Sequence, residues 1–282
     1  MSRTGLGFLC GLNSDSESKR RSGKTSVTLG LASSAAKKNL KTLIVDLDPQ
    51  GNATTGLGIY EPSNGVVNVL EDEFFGGINE IAERSNWPSD CGQTPYIAAS
   101  TPNLSICEPR LATDPLGAQN RLSLSFENSN WPLIIVDCPP SLGLLTVNAL
   151  FAVDMTLVVT EPGAWSVDGV ARMIQTIEKI RTRRIDSKPN IAGIAVNRLG
   201  RTRDDSYWNL KLEEVYSGFS LPKIHLRTAI AEASAQSLPI HGLGKRSGAA
   251  EAAAEFDELL TLLLEGGYSE NNSEKEDTDG HL

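Results

Sequence analysis

The chain has 282 residues, 40% of them hydrophobic and 22% charged, which is ordinary globular material long enough to bury a sizeable core. Its formal net charge is −9, which excludes a uniformly basic surface, although −4 of that lies in residues 266–282, where Glu270, Glu274, Glu276, Asp277 and Asp279 face one base, Lys275. No apolar run reaches the ~18 residues of a membrane span, and Cys10, Cys91, Cys107 and Cys138 form no C-x-x-C pair, which speaks against a zinc site or disulfide framework and for reduced thiols in the cytoplasm.

In chain order, GLGFLCGL (5–12) is a short apolar run without the basic flank or cleavage pattern of a secretory leader. It reads as a first strand. A helix rich in Ala, Leu and Ser follows over 24–38. TLIVDLD (42–48), YIAAS (96–100), PLIIVDCPP (132–140), MTLVVTEPG (155–163) and NIAGIAVNR (190–198) read as strands buried on both faces. Residues 60–95, punctuated by Pro, Gly and Asn, read as short helical pieces departing from the core. Val167, Val170, Met173, Ile174, Ile177 and Ile180 recur at helical spacing over 166–183, and a last helix covers 249–264. This βαβα rhythm predicts an α/β fold, a mostly parallel sheet flanked by helices on both faces. Residues 1–265 are expected to be one domain and 266–282 a disordered acidic tail.

Three stretches carry chemistry. Ser22-Gly23-Lys24-Thr25-Ser26 follows the first strand and opens a helix, the context in which backbone N–H groups surround phosphate. Lys24 would reach the β- and γ-phosphates and Thr25 would ligate Mg²⁺. Alone, such a Lys-Thr pair also describes an ordinary helix start. DLDPQGNATT (46–55) places two acids at a strand end, where a parallel sheet keeps its ligand crevice, although Asp-Pro also marks a plain turn. LIIVDCPPS (133–141) is a hydrophobic strand delivering Asp137 at its tip, an arrangement that holds Mg²⁺ through water. In this order, the three define a Mg-nucleotide site.

The chain resembles the ParA/MinD family of deviant-Walker P-loop ATPases, on its ParA (Soj-like, chromosome and plasmid partitioning) side. KRRSGKTS (19–26) matches the family loop K-G-G-x-G-K-[ST]-[ST] except at Arg20 and Arg21, and VDLDPQGNATTGLG (45–58) and IIVDCPPSLGLLTVNAL (134–150) resemble the switch regions. The resemblance runs on through VNR (196–198) and LPKIHLRTAIAEAS (221–234) to the final helix. It implies a three-layer α/β/α P-loop fold, ATP and Mg²⁺ as cofactors, and hydrolysis. Asp48 would orient the attacking water. Lys19 would reach the phosphates of a partner subunit, and Ser22, Gly23, Lys24, Thr25 and Ser26 would line the phosphates. Thr25 and Asp137 would serve Mg²⁺, Asn197 would read the adenine, and Pro222, just after a late strand, would pack against it.

The resemblance also implies an ATP-dependent homodimer, non-specific DNA binding, a ParB-like stimulating protein and a cytoplasmic, nucleoid-associated location. Lys223, Arg227, Arg183 and Arg184 are candidate DNA contacts, each equally readable as a solvated surface charge. A MinD-like membrane anchor needs a basic amphipathic C-terminal helix, whereas the last helix here is acidic. Paired cysteines of iron–sulfur relatives and the substrate domain of amidating synthetases are not found.

Arg20 and Arg21 stand where the family has glycine, preceded by the acidic SDSES. A non-glycine residue held in left-handed conformation costs roughly 1–2 kcal/mol, and Arg adds bulk where amides should meet oxygen. Three explanations are open: a remodelled working loop, a degenerate ATPase that binds nucleotide or DNA weakly without an ATPase cycle, or a reading frame displaced upstream of Ser22, so that residues 1–21 are not native.

Overall fold

The computed structural model describes residues 6–9, 23–71, 76–114 and 117–266. Residues 10–22, with Lys19, Arg20, Arg21 and Ser22, and those from 267 onward lie outside them. In chain order the elements are β1 (Leu6–Leu9), α1 (Lys24–Lys37), β2 (Thr42–Asp46), α2 (Asn52–Gly56), α3 (Val66–Glu71), α4 (Ile78–Ile81), β3 (Ala82–Arg84), β4 (Tyr96–Ala98), α5 (Leu104–Leu111), α6 (Arg121–Ser125) and β5 (Leu133–Asp137). Then follow α7 (Leu144–Ala152), β6 (Met155–Thr160), α8 (Ser166–Arg181), β7 (Asn190–Val196), α9 (Arg203–Val215), α10 (Thr228–Ala235) and α11 (Ala249–Leu264).

Five strands pair in the order β1-β5-β2-β4-β3, all parallel except β3, which runs antiparallel to β4. A parallel pair, β6-β7, completes the sheet layer, with β6 beside β1. The strands are apolar on both faces because each face has its own helical cover. Leu43, Val45, Ile134, Val136 and Val158 pack into one buried cluster with α3, α5, α7 and α8. Their neighbours Ile44, Leu133, Ile135, Leu157 and Val159 pack into a second cluster with α1, α10 and α11. The alternation of side chains along a strand sends successive residues to opposite faces, so two cores on one sheet make the three-layer α/β/α arrangement the sequence predicts.

Two expectations are corrected. The stretch 60–95 contributes to the core among its described residues: Val66, Val69, Leu70 and Ile78 are fully buried in the first cluster, because its short helices turn one apolar face inward. No late strand precedes Pro222. The segment after α9 forms single bridges at Ser220 and His225, with Leu221 and Ile224 N–H donating to Ile194 and Val196 carbonyls of β7. Among the described residues, no helix is long and apolar enough to cross a membrane.

Candidate phosphate and magnesium site

The C-terminal tips of a parallel sheet lie on one edge, and the candidate residues gather there because each follows a strand. Gly23 caps α1 in left-handed conformation (φ 66°, ψ 29°). A Cβ at this position would also stand 2.4 Å from Asn197 Nδ2, so glycine is required by both backbone and space. Asn197, buried just beyond β7, donates its amide to the Gly23 carbonyl at 3.2 Å. The residue expected to read adenine thus bonds the backbone at the N-cap of α1. Pro222 is half-buried in the segment running along β7.

Lys24 opens α1 and is only 8% exposed. One residue on, the Thr25 hydroxyl donates to Asp137 Oδ2 at 2.7 Å, across 112 residues of sequence. Thr28, three residues further along the same helix face, donates to Asp137 Oδ1 at 3.3 Å. Ser26 is half-buried in the first turn. Burial pushes the Asp137 carboxyl up, and the Asp48 charge adds to that; Thr25, Lys24 and Thr28 act in the opposite direction. Asp48 lies two residues past β2, half-buried, its Oδ1 accepting from Gln50 N–H at 2.9 Å.

Asp46, the first acid of DLD, has a separate task that its letter in the sequence does not reveal. It is fully buried and sits opposite Asp137 in the β2–β5 register. Burial first, and the Asp137 charge second, raise its carboxyl well above the usual carboxylate range. Thr54 and Ser100, also buried, are further polar residues of this edge that motif matching passed over.

Magnesium nucleotide fits these residues. A hydroxyl and a carboxylate at hydrogen-bond distance are the hard oxygen donors Mg²⁺ takes, and two adjoining buried carboxylates are relieved by a cation. Gly23 stands without a side chain at the N-terminus of α1, where a helix's unpaired N–H groups favour an anion. A shallow cavity of about 640 Å³ beside Lys37, His241 and Asp257 is a different place, at the far end of α1, roughly 20 Å from Lys24 at 1.5 Å per residue. Lys37 pairs there with Asp257 at 2.8 Å, and His241 Nδ1 lies 2.7 Å from the Ser33 hydroxyl.

The basic candidates divide. Arg183 is exposed at the end of α8 and donates to the Lys179 carbonyl. Lys223 pairs with Glu213. Arg184 is corrected: its side chain is 7% exposed and its guanidinium donates to the Leu150 and Val153 carbonyls at the end of α7 and to Asp186. Those carbonyls have no partner further along their helix, so Arg184 is consumed in ending α7 and presents no charge to a polyanion.

Arg227 donates to Glu255 Oε2 at 2.6 Å, and His225 meets the same carboxylate through its backbone N–H and its ring. Burial opposes the charged form of Glu255, but Arg227 and His225 outweigh it and hold the carboxyl below its ordinary 4.5. A carboxyl lowered in the folded state adds stability that is complete above its unfolded value and is lost as pH falls through the folded one. The stability difference between wild type and Glu255→Gln is therefore expected to be present at neutral pH and to shrink under acid. Denaturant titrations across that range measure it, and a difference that grows with acid would be the opposite result.

The fold and this edge define the class as a P-loop nucleotide-binding protein. The comparisons agree: residues 16–191 match an AAA domain family. The chain is 32% identical over 181 residues to the chromosome-partitioning ATPase Soj of Thermus thermophilus, covering 64% of this chain and 66% of that protein, a little under two thirds of its length. Among solved structures, apo McdA of Cyanothece superposes with a TM-score of 0.76 at 18% identity, over 92% of this chain and 99% of that one. The septum site-determining protein MinD of Pyrococcus horikoshii, complexed with Mg-ADP, gives 0.68 at 18% identity, over 94% and 99%. The chain belongs to the ParA/MinD family of P-loop ATPases.

Proposed function

We propose that the chain is a ParA-like ATPase that dimerises on ATP, binds DNA without sequence preference and drives partitioning or positioning of a cargo through slow, partner-stimulated hydrolysis. The observation that carries this is the Thr25–Asp137 contact, which joins the helix after β1 to the tip of β5 beside Lys24. Gly23 backbone and the α1 N-terminus would hold phosphate oxygens, with Lys24 against the β- and γ-phosphates and Ser22 and Ser26 at the flanks. Thr25, and Asp137 through water, would hold Mg²⁺, which when bound neutralises charge on the β- and γ-oxygens. Asp48 would orient water in line with the γ-phosphorus, and Lys19 of a second copy would complete the site, so that hydrolysis releases the dimer. Asn197 and Pro222 would border the adenine.

Arg183, Lys223 and Arg227 are the proposed phosphate contacts to DNA, and a ParB-like protein the proposed stimulator, in the cytoplasm at the nucleoid. Such DNA contacts weaken steeply with salt. Steady-state ATP turnover with and without DNA, beside Asp48→Ala, tests the proposal. Wild type is expected to turn over slowly. Asp48→Ala should bind ATP within about threefold of wild type yet lose roughly a hundredfold in rate, the lower end of what positioned acid–base groups contribute. Wild type that binds no ATP, or an ATP state whose DNA retention is insensitive to salt, would overturn it.

A further inference from the structure

Asp46 lies beside the proposed site and its carboxylate works entirely on backbone and hydroxyl groups of the loop that carries Asp48. Oδ1 accepts from the Asp48 backbone N–H at 3.1 Å, and Oδ2 accepts from both the Thr54 N–H and the Thr54 hydroxyl at 2.8 Å. Thr54 Oγ1 accepts in turn from Ser100 N–H at 2.9 Å, and the Ser100 hydroxyl donates to the Asp48 carbonyl at 2.7 Å. The chain of contacts therefore starts at Asp48 N–H, runs through Asp46, Thr54 and Ser100, and returns to Asp48 O. It closes a ring around one residue, fixing both sides of its peptide backbone from groups that are 0–5% exposed.

We infer that Asp46 is a positioning residue for hydrolysis, acting through this ring to fix the direction of the Asp48 side chain while contributing little to nucleotide affinity. The inference rests on the proposed ATPase reading and deepens it. Two facts separate it from a plain packing role. The bonds converge on Asp48, the one residue of the loop assigned to the water, and the Thr25 hydroxyl, which would hold Mg²⁺, bonds Asp137 on the neighbouring strand and not the ring. Thr54→Val, which leaves the Asp46 charge beside Asp137 unchanged, loosens the ring without altering the acids of the metal side. Both Asp46 oxygens are already acceptors from backbone N–H groups on opposite sides. An amide nitrogen cannot accept, so asparagine at this position must leave either the Asp48 or the Thr54 N–H without its partner. A near-isosteric change therefore breaks the ring at a defined point.

The Thr54 hydroxyl gives a second point of entry. Thr54→Val keeps the shape and the backbone N–H but removes the oxygen that joins Asp46 to Ser100, whereas Thr54→Ser keeps it. ATP binding by fluorescent-nucleotide titration and ATP turnover under saturating ATP should be measured for wild type, Asp46→Asn, Thr54→Val and Thr54→Ser, with a thermal melt of each. Asp46→Asn is expected to lose tenfold or more in kcat with ATP affinity within threefold of wild type. Thr54→Val should lose several-fold in kcat, and Thr54→Ser should stay within twofold. A kcat of wild-type size in Asp46→Asn, or a loss confined to affinity, would overturn the inference. If Asp46→Asn does not fold, the Thr54 pair decides: equal kcat in the Val and Ser variants would overturn it. Wild type that binds ATP without turnover would instead overturn the ATPase reading, and this inference with it.

Discussion

Replacing Lys24 by alanine is expected to lower ATP turnover by about two to three orders of magnitude, the loss seen when a preorganised donor to developing charge is removed. The size follows from where the lysine stands. Lys24 is buried at the first position of α1, and its charge opposes the rise of the Asp137 carboxyl. In a site screened from water, one cation matched to phosphoryl oxygens is worth far more than the same charge on the surface. Arginine should not rescue the loss, because a planar fork cannot replace a point charge on a flexible stem in this enclosed space. Phosphate release by wild type, Lys24→Ala and Lys24→Arg measures it. Turnover of Lys24→Ala within threefold of wild type would remove the residue from the site.

The second large effect concerns stability. Phe256→Ala is expected to destabilise the fold by about 3–5 kcal/mol, the range for emptying an aromatic site in a packed core. Phe256 is fully buried on α11, in the cluster that covers α1. Its ring lies so close to α1 that a Cβ on Gly30 would stand 2.5 Å from three ring atoms. Collapse into the resulting hole is resisted by two helices already in contact, which argues for the upper part of the range. Gly30→Ala supplies a control of opposite sign to helix propensity. In a helix interior alanine normally gains about 1 kcal/mol over glycine, yet here it should destabilise. Denaturant unfolding of both variants measures this, and a gain in Gly30→Ala would show that the α1–α11 contact yields.

Much of this was legible in the letters, and the failures have physical causes. PLIIVDCPP (132–140) and MTLVVTEPG (155–163) declare strands covered on both faces, because apolar and β-branched residues dominate them and no charge falls before their ends, and β5 and β6 occupy 133–137 and 155–160 of them. TLIVDLD was expected to run to Asp48, but β2 ends at Asp46, whose carboxylate folds back to accept from the next turn. Two aspartates one residue apart look alike in sequence. Burial separates them: Asp46 is enclosed, while Asp48 is half-buried. Asn197 falls one residue past β7, inside the 190–198 run that reads as a strand, and its bond to Gly23 joins positions 174 apart, which no local pattern encodes. Val66 to Leu70 looked peripheral because Gly and Pro surround them, while their burial is decided by helices that come later in the chain.

Arg184 bears on how the basic surface should be probed. Its guanidinium is a rivet holding the last turn of α7 to the start of the β7 approach, and α7 begins where the loop from Asp137 ends. A charge-removal scan that included position 184 would also remove the partners of the Leu150 and Val153 carbonyls, a loss of structure unrelated to any polyanion. Of the candidates, Arg183 reads surface charge most directly, Lys223 and Arg227 also report their pairings with Glu213 and Glu255, and a variant at 184 reads the anchoring of α7.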